Sequence, residues 1–509
     1  MTDPTPATPP VITPRSAARR RNLMILGIVI SSIPTAAVVL AFPVGNRFVE
    51  SNWKQFRSQW EARGEIFDIT GVLDPPVAED RDNFAKSPII DELYQRADAK
   101  KAAQAARHQH AGHDHATEAP QEAPAPATPA RLETFNVLST QQVRMPNPKP
   151  ALLYLSGQPV NLNLHVPARS HHAAVPYLLE TYAPHQAVID ELFAAAERPE
   201  AYFPLDRERP YATSLAHLPS IINACHSLRI FNLALIEAGE SQAARAAGQI
   251  AGLLRVIRHG TNSPGLGSFT VRTLAVESAG LEPVWQALYR QSFTDTQWQA
   301  IDTELRAFEF GPRLLKTLRF ERASMIHQVE SQFAHAQSQP FSMPPAWVQL
   351  AGLQEYGELT QRFWFTGPGG DRVLKDRPRI DQLEAIEAQT ADLPVNAENL
   401  ILATGVLPVA EFARRAQQIE ITRDHALVAI ALERHRLATG SFPETLSELT
   451  PKWMAELPVN AETGHPPRYD RLPDGSGYRL RNLGEDGGDG QPAWIMPPPA
   501  AAPEVAKPS

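Results

Sequence analysis

A single cysteine, Cys225, stands among 509 residues, so no disulfide can form within the chain. Without that cross-link an exported protein relies on burying apolar surface, and a chain of this length has enough of it. Cys225 lies in an apolar helical stretch, which predicts a buried, inert thiol rather than an intermolecular link. A basic excess is also missing. Lys and Arg number 48 against 56 Asp and Glu, a net charge of −8, which argues against a general nucleic-acid binder. The chain contains no P-loop, no H-E-x-x-H, no C-x-x-C and no G-x-S-x-G. Gly265-Leu266-Gly267 is a lone G-x-G with no third glycine, and carries no message by itself. No catalytic residue or bound cofactor is therefore assigned from motifs.

Long apolar runs are scarce as well, and the one that exists is informative. Residues 23–44 read LMILGIVISSIPTAAVVLAFPV without a charged side chain. As a helix that run is about 33 Å long, enough to cross a bilayer core of about 30 Å. Gly27 and Pro34 inside it are tolerated in membrane helices. Arg15, Arg19, Arg20 and Arg21 precede it, while Arg47 and Lys54 after it are joined by Glu50. The positive-inside rule then predicts a cytoplasmic N-terminus and an extracytoplasmic bulk. The other reading is a cleaved signal peptide ending near Val39-Leu40-Ala41, although the apolar run is longer than a signal core.

The remainder divides by composition, and at about 150 residues per domain the length allows two to four units. Residues 1–22 read as a disordered cytoplasmic tail, 23–44 as the transmembrane helix, and 45–99 as a juxtamembrane helical segment. Trp53, Phe56 and Trp60 fall on one face of the latter. The stretch 100–130 is rich in Ala, His and Pro and reads as a linker. Residues 131–404 read as a mainly helical domain. Alternation around Val160, Leu162 and Leu164 adds one or two strands near its start. In the stretch 218–238, Ile222, Cys225, Leu228, Phe231 and Leu235 recur at helical spacing, and Gly239 is a C-cap signal. A partner helix carries Ile250, Leu253, Leu254 and Ile257 on one face. Others begin near Phe269, after Thr294 and near Leu314. The fold class expected is mainly α, an array of antiparallel helical hairpins without a regular repeat.

The last region, 405–495, predicts a small α+β module, followed by a disordered tail at 496–509. A helix from Ala410 to Thr439 carries Phe412, Ile419, Leu427, Ile430 and Leu437 near one stripe and is capped by Gly440. Pro443 suits the first turn of a short helix, and Pro473-Asp474-Gly475 suits a hairpin turn between two strands. The order helix, ALERHRLATGSFPETLSELTP, ELPVNAETGHPPRYD, DGSGYRLRNLGEDGGDG resembles the head of major type II secretion pseudopilins. In that family a spine helix ends in a Gly-x-Tyr/Phe-Pro turn, followed by a proline-rich segment, a small sheet and a Gly/Asp-rich loop. The resemblance covers roughly the last sixth of the chain. It implies a bacterial inner-membrane protein that makes protein contacts in the envelope, related to secretion or pilus-like machinery. The chain departs from the family in two ways. The processing signal is absent, since the fifth residue after Gly27 is Ser32. A long intervening region also separates the membrane run from the head.

Three sets of residues suggest chemistry. Asp486 and Asp489 occupy the loop that holds calcium in calcium-binding pseudopilins, so the resemblance implies a calcium site; a solvated acidic turn is the alternative. His108, His110, His113 and His115 form HQHAGHDH, a transition-metal signature if ordered and soluble filler if not. Glu321 and Arg322, with His327 and Glu330 nearby on one helix, read either as acid–base groups or as a surface ion-pair lattice. The competing function classes are therefore an interaction protein, a tethered hydrolase with its pocket in the helical array, and a metal-handling protein.

Overall fold

The computed structural model describes residues 35–75, 79–110, 131–133, 151–155, 158–162, 170–337, 346–367, 373–396, 399–460, 464–481 and 494–496. The protein is mainly helical. In chain order the helices begin with α1 (Thr35–Glu61), α2 (Ile69–Val72), α3 (Pro88–His110), α4 (Ser170–Tyr182) and α5 (Gln186–Ala196). They continue with α6 (His217–Glu237), α7 (Glu240–Gly260), α8 (Leu266–Ala275), α9 (Leu281–Arg290) and α10 (Asp295–Arg306). The last are α11 (Phe310–Gln337), α12 (Ala346–Trp364), α13 (Ile380–Thr390), α14 (Leu400–Gly405) and α15 (Ala410–Thr439). Strands β1 (Ala151–Leu155) and β2 (Gln158–Leu162) pair antiparallel. A second antiparallel sheet has the order β3 (Arg468–Arg471), β4 (Tyr478–Arg481), β5 (Trp494–Met496).

Among the described residues no helix is long and apolar enough to cross a membrane. Residues 23–34 of the apolar run lie outside them, and 35–44 form the start of α1. The chain divides into two compact units, each assembled from separate stretches. The first is Met1–Asp68, Met325–Val373 and Ala385–Leu407; the second is Ile69–Ser324, Leu374–Glu384 and Pro408–Ser509.

The first unit has one apolar cluster built on α1, α11, α12 and α14. Val49, Trp53, Phe67, Ile326, Val329, Leu353 and Tyr356 are buried in it, with Phe56 and Trp60 packed against it. The face predicted from Trp53, Phe56 and Trp60 is thus the face that α1 turns to this core. Trp53 stacks on Phe56 with centroids 5.8 Å apart and meets Phe67 edge-on at 6.1 Å. Its indole N–H donates to Glu330 Oε1 at 2.8 Å, which also accepts from Arg57 at 3.1 Å. Helix α12 approaches closely because Gly357 has no side chain; a Cβ there would lie 2.7 Å from the Trp53 ring.

In the second unit the hairpins form where the apolar periodicity and the glycines place them. Gly239, at φ 82°, breaks α6 from α7, whose Ile250, Leu253, Leu254 and Ile257 are all buried. Thr294 and Gln297 make a capping box at the start of α10, satisfying free N–H groups there. A π turn, Val276–Gly280, joins α8 to α9. Cys225 is fully buried in α6, and that burial pushes its thiol up to about 12. A maleimide at pH 8 is expected to leave the native thiol unlabelled and to react once urea unfolds the chain. Rapid native labelling would contradict the packing of α6.

Four sequence expectations need correction. First, the stretch expected to be linker from residue 100 is helical as far as His110. The run AKKAAQAA is made of strong helix formers, and its prolines come only later. Second, α15 buries a stripe only in its first half, through Ala410, Ala413, Ala416 and Ile419. The whole run His425–Glu433 is buried, because α8, α9 and α10 all pack on the helix, whereas Leu437 is exposed. Third, Pro443 does not start a helix. The short turn is 3-10, Leu446–Leu449, opened by a Thr445–Glu448 capping box. Fourth, Glu321 and Arg322 are buried rather than part of a surface lattice.

Helix α15 ends at Gly440, left-handed at φ 84°. The chain then turns through Phe442, whose ring meets Tyr478 edge-on at 5.0 Å, and Tyr469 donates its hydroxyl to Pro443 O at 2.7 Å. Strands β3 and β4 form the predicted hairpin, with Gly475 at φ 71° in its turn.

Candidate functional site

The described part of the chain has its most elaborate polar structure in the second unit, around the turn from α7 into α8. Helix α7 stops at Gly260, where a Cβ would lie 2.7 Å from Ile221. Thr261 turns its hydroxyl back to Ile257 O at 2.6 Å, and Ser268 donates to Thr261 O at 2.8 Å. Gly265, at φ 96°, lets the chain enter α8, whose Leu266 N–H donates to Glu321 Oε1 at 2.7 Å. The lone G-x-G is therefore a structural turn.

Two guanidinium groups fix this loop. Arg272 is buried and donates to Thr261 Oγ1 at 3.1 Å and Arg258 O at 2.7 Å. Arg313, from α11, donates to Asn262 Oδ1 and to Ser263 O, each at 2.9 Å. Arg272 Nη2 also lies 3.5 Å from the same Asn262 oxygen, whose amide group in turn donates to Ala201 O at 2.8 Å. Burial holds Arg272 well below the usual arginine range, and the nearby Arg313 and Arg258 charges add to that. Arg313 is lowered by burial too, with Asp74 opposing the shift.

Arg313 opens on one side into a shallow cleft of about 30 Å³ that continues into open solvent. Lys316 and Asp74 line the cleft and form an ion pair. Its walls are largely apolar, with Leu73, Phe203, Leu205 and Phe320 among them. Behind it, His217 is fully buried, stacked on Phe203 at 3.8 Å. Tyr94 OH lies 2.5 Å from its Nδ1, and Ser263 Oγ lies 3.3 Å from its Nε2.

Serine, histidine and tyrosine in such a chain invite comparison with a nucleophilic triad. Two observations oppose it. Ser263 and His217 are both closed to solvent. Burial also drives the imidazole down to about 3, against an opposing bond to the Gly260 backbone, and so weak a base does not take a serine proton. The trio is a satisfied polar plug, and what the cleft offers a ligand is charge and apolar wall. Glu321, singled out from sequence, braces the same turn and is raised by burial. It belongs to the second unit, as does Arg322, whereas His327 and Glu330 belong to the first.

Of the residues expected to bind metal, Asp486, Asp489, His113 and His115 lie outside the described residues. His108 and His110 lie in the last turn of α3. Among the described residues no group of three or more His, Cys, Asp or Glu is placed to hold a metal ion. The cleft residues escaped the sequence reading because Asp74, Asn262 and the Arg313–Lys316 pair are far apart in the chain. The one available signal was Arg272, a charge within an apolar helical pattern. No family model, no curated protein and no solved structure matches the chain.

Proposed function

We propose that the chain is a single-pass membrane protein, held by residues 23–44 with its bulk outside the cytoplasmic membrane. Its work is binding envelope proteins, in association with secretion or pilus-like machinery. The observation that carries this reading is the construction of the C-terminal region. A long helix stops at a left-handed glycine, a Phe-Pro turn is clamped by Tyr469 and Tyr478, and a small antiparallel sheet follows. That is the order in which a pseudopilin head is built, and it supports the resemblance seen in residues 405–495. The uncharged run flanked by arginines on one side supports the anchor and its direction. The cleft beside Arg313 favours a second reading in which the helical region also takes a small ligand.

The first reading is tested in intact membranes. After alkaline extraction the chain is expected in the pellet, and protease added outside spheroplasts is expected to digest all but the N-terminal end. A photo-crosslinker replacing Val459, which is 56% exposed in the C-terminal region, is expected to trap a pilin-like envelope protein. Release by alkali, protection from outside protease, or cross-links to cytoplasmic proteins alone would each remove the proposal.

A further inference from the structure

The charges around the cleft do not balance. Arg313 gives two N–H groups to neutral oxygens, those of Asn262 and Ser263, and is bonded to no carboxylate among the described residues. The carboxylate near it, Asp74, is engaged by Lys316. Arg272 converges on the same Asn262 oxygen from behind, and its bonds also end on neutral acceptors. Two guanidinium groups therefore share one amide oxygen. Like charges at that spacing, taken partly out of water, raise each other's cost, and an anion on the open side relieves it. Of the ionisable groups lining the cleft, two are cations and one is an anion, leaving one positive charge for a guest.

We propose that this cleft binds a small organic monoanion, a carboxylate with an apolar body, its charge held by Arg313 and Lys316. Phe203, Leu205 and Phe320 supply the wall against which a short alkyl or aryl body packs. The single uncompensated charge and the apolar lining favour a carboxylate over a phosphate. A phosphate carries about two charges near neutrality and presents polar oxygens on every side. Arginine suits the planar carboxylate because its fork of N–H groups matches the two oxygens. Lys316, half-exposed at the rim, adds a point charge that follows the ligand in. The donors that fix Arg313 to the loop leave its remaining N–H groups for this bond. The guanidinium is thus held in place before the ligand arrives, which reduces the entropy lost on binding.

The test is calorimetric titration of the purified full chain at constant ionic strength. The probes are hexanoate, benzoate and phenylacetate, with benzamide and inorganic phosphate as controls. At least one carboxylate is expected to saturate one site, with benzamide and phosphate much weaker. Lys316→Gln, at a half-exposed position, is expected to weaken binding roughly tenfold, the scale of one charged hydrogen bond. Asp74→Asn removes the competing carboxylate and is expected to tighten it. Absence of saturable binding by all three carboxylates, equal binding of benzamide, or tighter binding of phosphate each overturns the proposal. A dissociation constant unmoved by both variants overturns it too, since the ligand then sits elsewhere.

Discussion

Gly357→Ala is expected to lower the melting temperature, although alanine is the better helix former. Inside a helix, replacing glycine by alanine gains about 1 kcal/mol from backbone entropy alone. Against that, the new Cβ would lie 2.7 Å from Trp53 Cζ3 and 3.2 Å from both Trp53 Cη2 and Phe56 Cε1. These are ring atoms, and the indole is not free to swing aside. Its N–H is held by Glu330, and its faces and edge are packed by Phe56 and Phe67. Overpacking of this kind costs about 1–3 kcal/mol, so the clash outweighs the propensity gain. Gly357→Val adds two more carbons to the same space and is expected to cost more than the alanine. Gly248 supplies the control. It lies in α7, is exposed, and a Cβ there meets nothing within 4 Å, so Gly248→Ala is expected to stabilise. Thermal unfolding followed by circular dichroism, with hydrogen exchange across α1 and α12, reads both. A Gly357→Ala protein as stable as Gly248→Ala would mean that α1 and α12 do not pack as described.

What the sequence disclosed, and what it concealed, follows from the range of each interaction. Helices α6, α7, α10 and α15 were legible because their signals are local: apolar residues three or four apart, and Gly239, Thr294 and Gly440 at their ends. The hairpin of β3 and β4 was legible for the same reason, its Pro-Asp-Gly turn being written in consecutive residues. Strand β5 was not, since its pairing with β4 joins residues that are not neighbours in the chain and is decided by the partner. Burial of His425–Glu433 from several sides was hidden, because a stripe read from one helix does not report how many neighbours it has. The division into units was hidden more deeply. Residues 325–373 and 385–407 join the first unit while 374–384 join the second, an assignment made by tertiary contacts alone.

The cleft illustrates the limit most clearly. Asn262 reads as an ordinary loop residue, yet its amide is the common partner of Ala201, Arg272 and Arg313. Glu321 was noticed for its charge and read either as an acid–base group or as part of a surface lattice. Its carboxylate instead takes the first N–H of α8 inside the fold. In both cases the sequence supplied the group, and much of its role came from partners more than 50 residues away, Ala201 and Arg313 for Asn262 and Leu266 for Glu321.

Two buried histidines each contribute a loss of stability in mild acid. His217 is held down to about 3 by burial, and His259 to about 4 by burial and by Arg258, Arg272 and Arg255, against an ordinary value of 6.5. Both pKa values are lower folded than unfolded. Between about pH 6.5 and 4 the unfolded chain therefore binds protons that the folded chain refuses, and stability falls as pH falls. Each group contributes about 1.4 kcal/mol per pH unit across that window. Two groups over two units amount to about 5 kcal/mol, a large share of what holds a domain together. Glu282, Glu304, Glu321 and Asp424 are raised by burial and work in the opposite sense, gaining stability as they protonate. The histidine contribution is isolated by comparing His217→Gln with the parent chain. Glutamine keeps a donor and an acceptor near Tyr94 and Ser263 but does not titrate. The variant is expected to be less stable at pH 7.5, where packing on Phe203 is lost, and to show a shallower slope of urea midpoint between pH 6.5 and 4.5. Parallel slopes for the two proteins would mean that the imidazole is open to water and protonates freely in the folded chain.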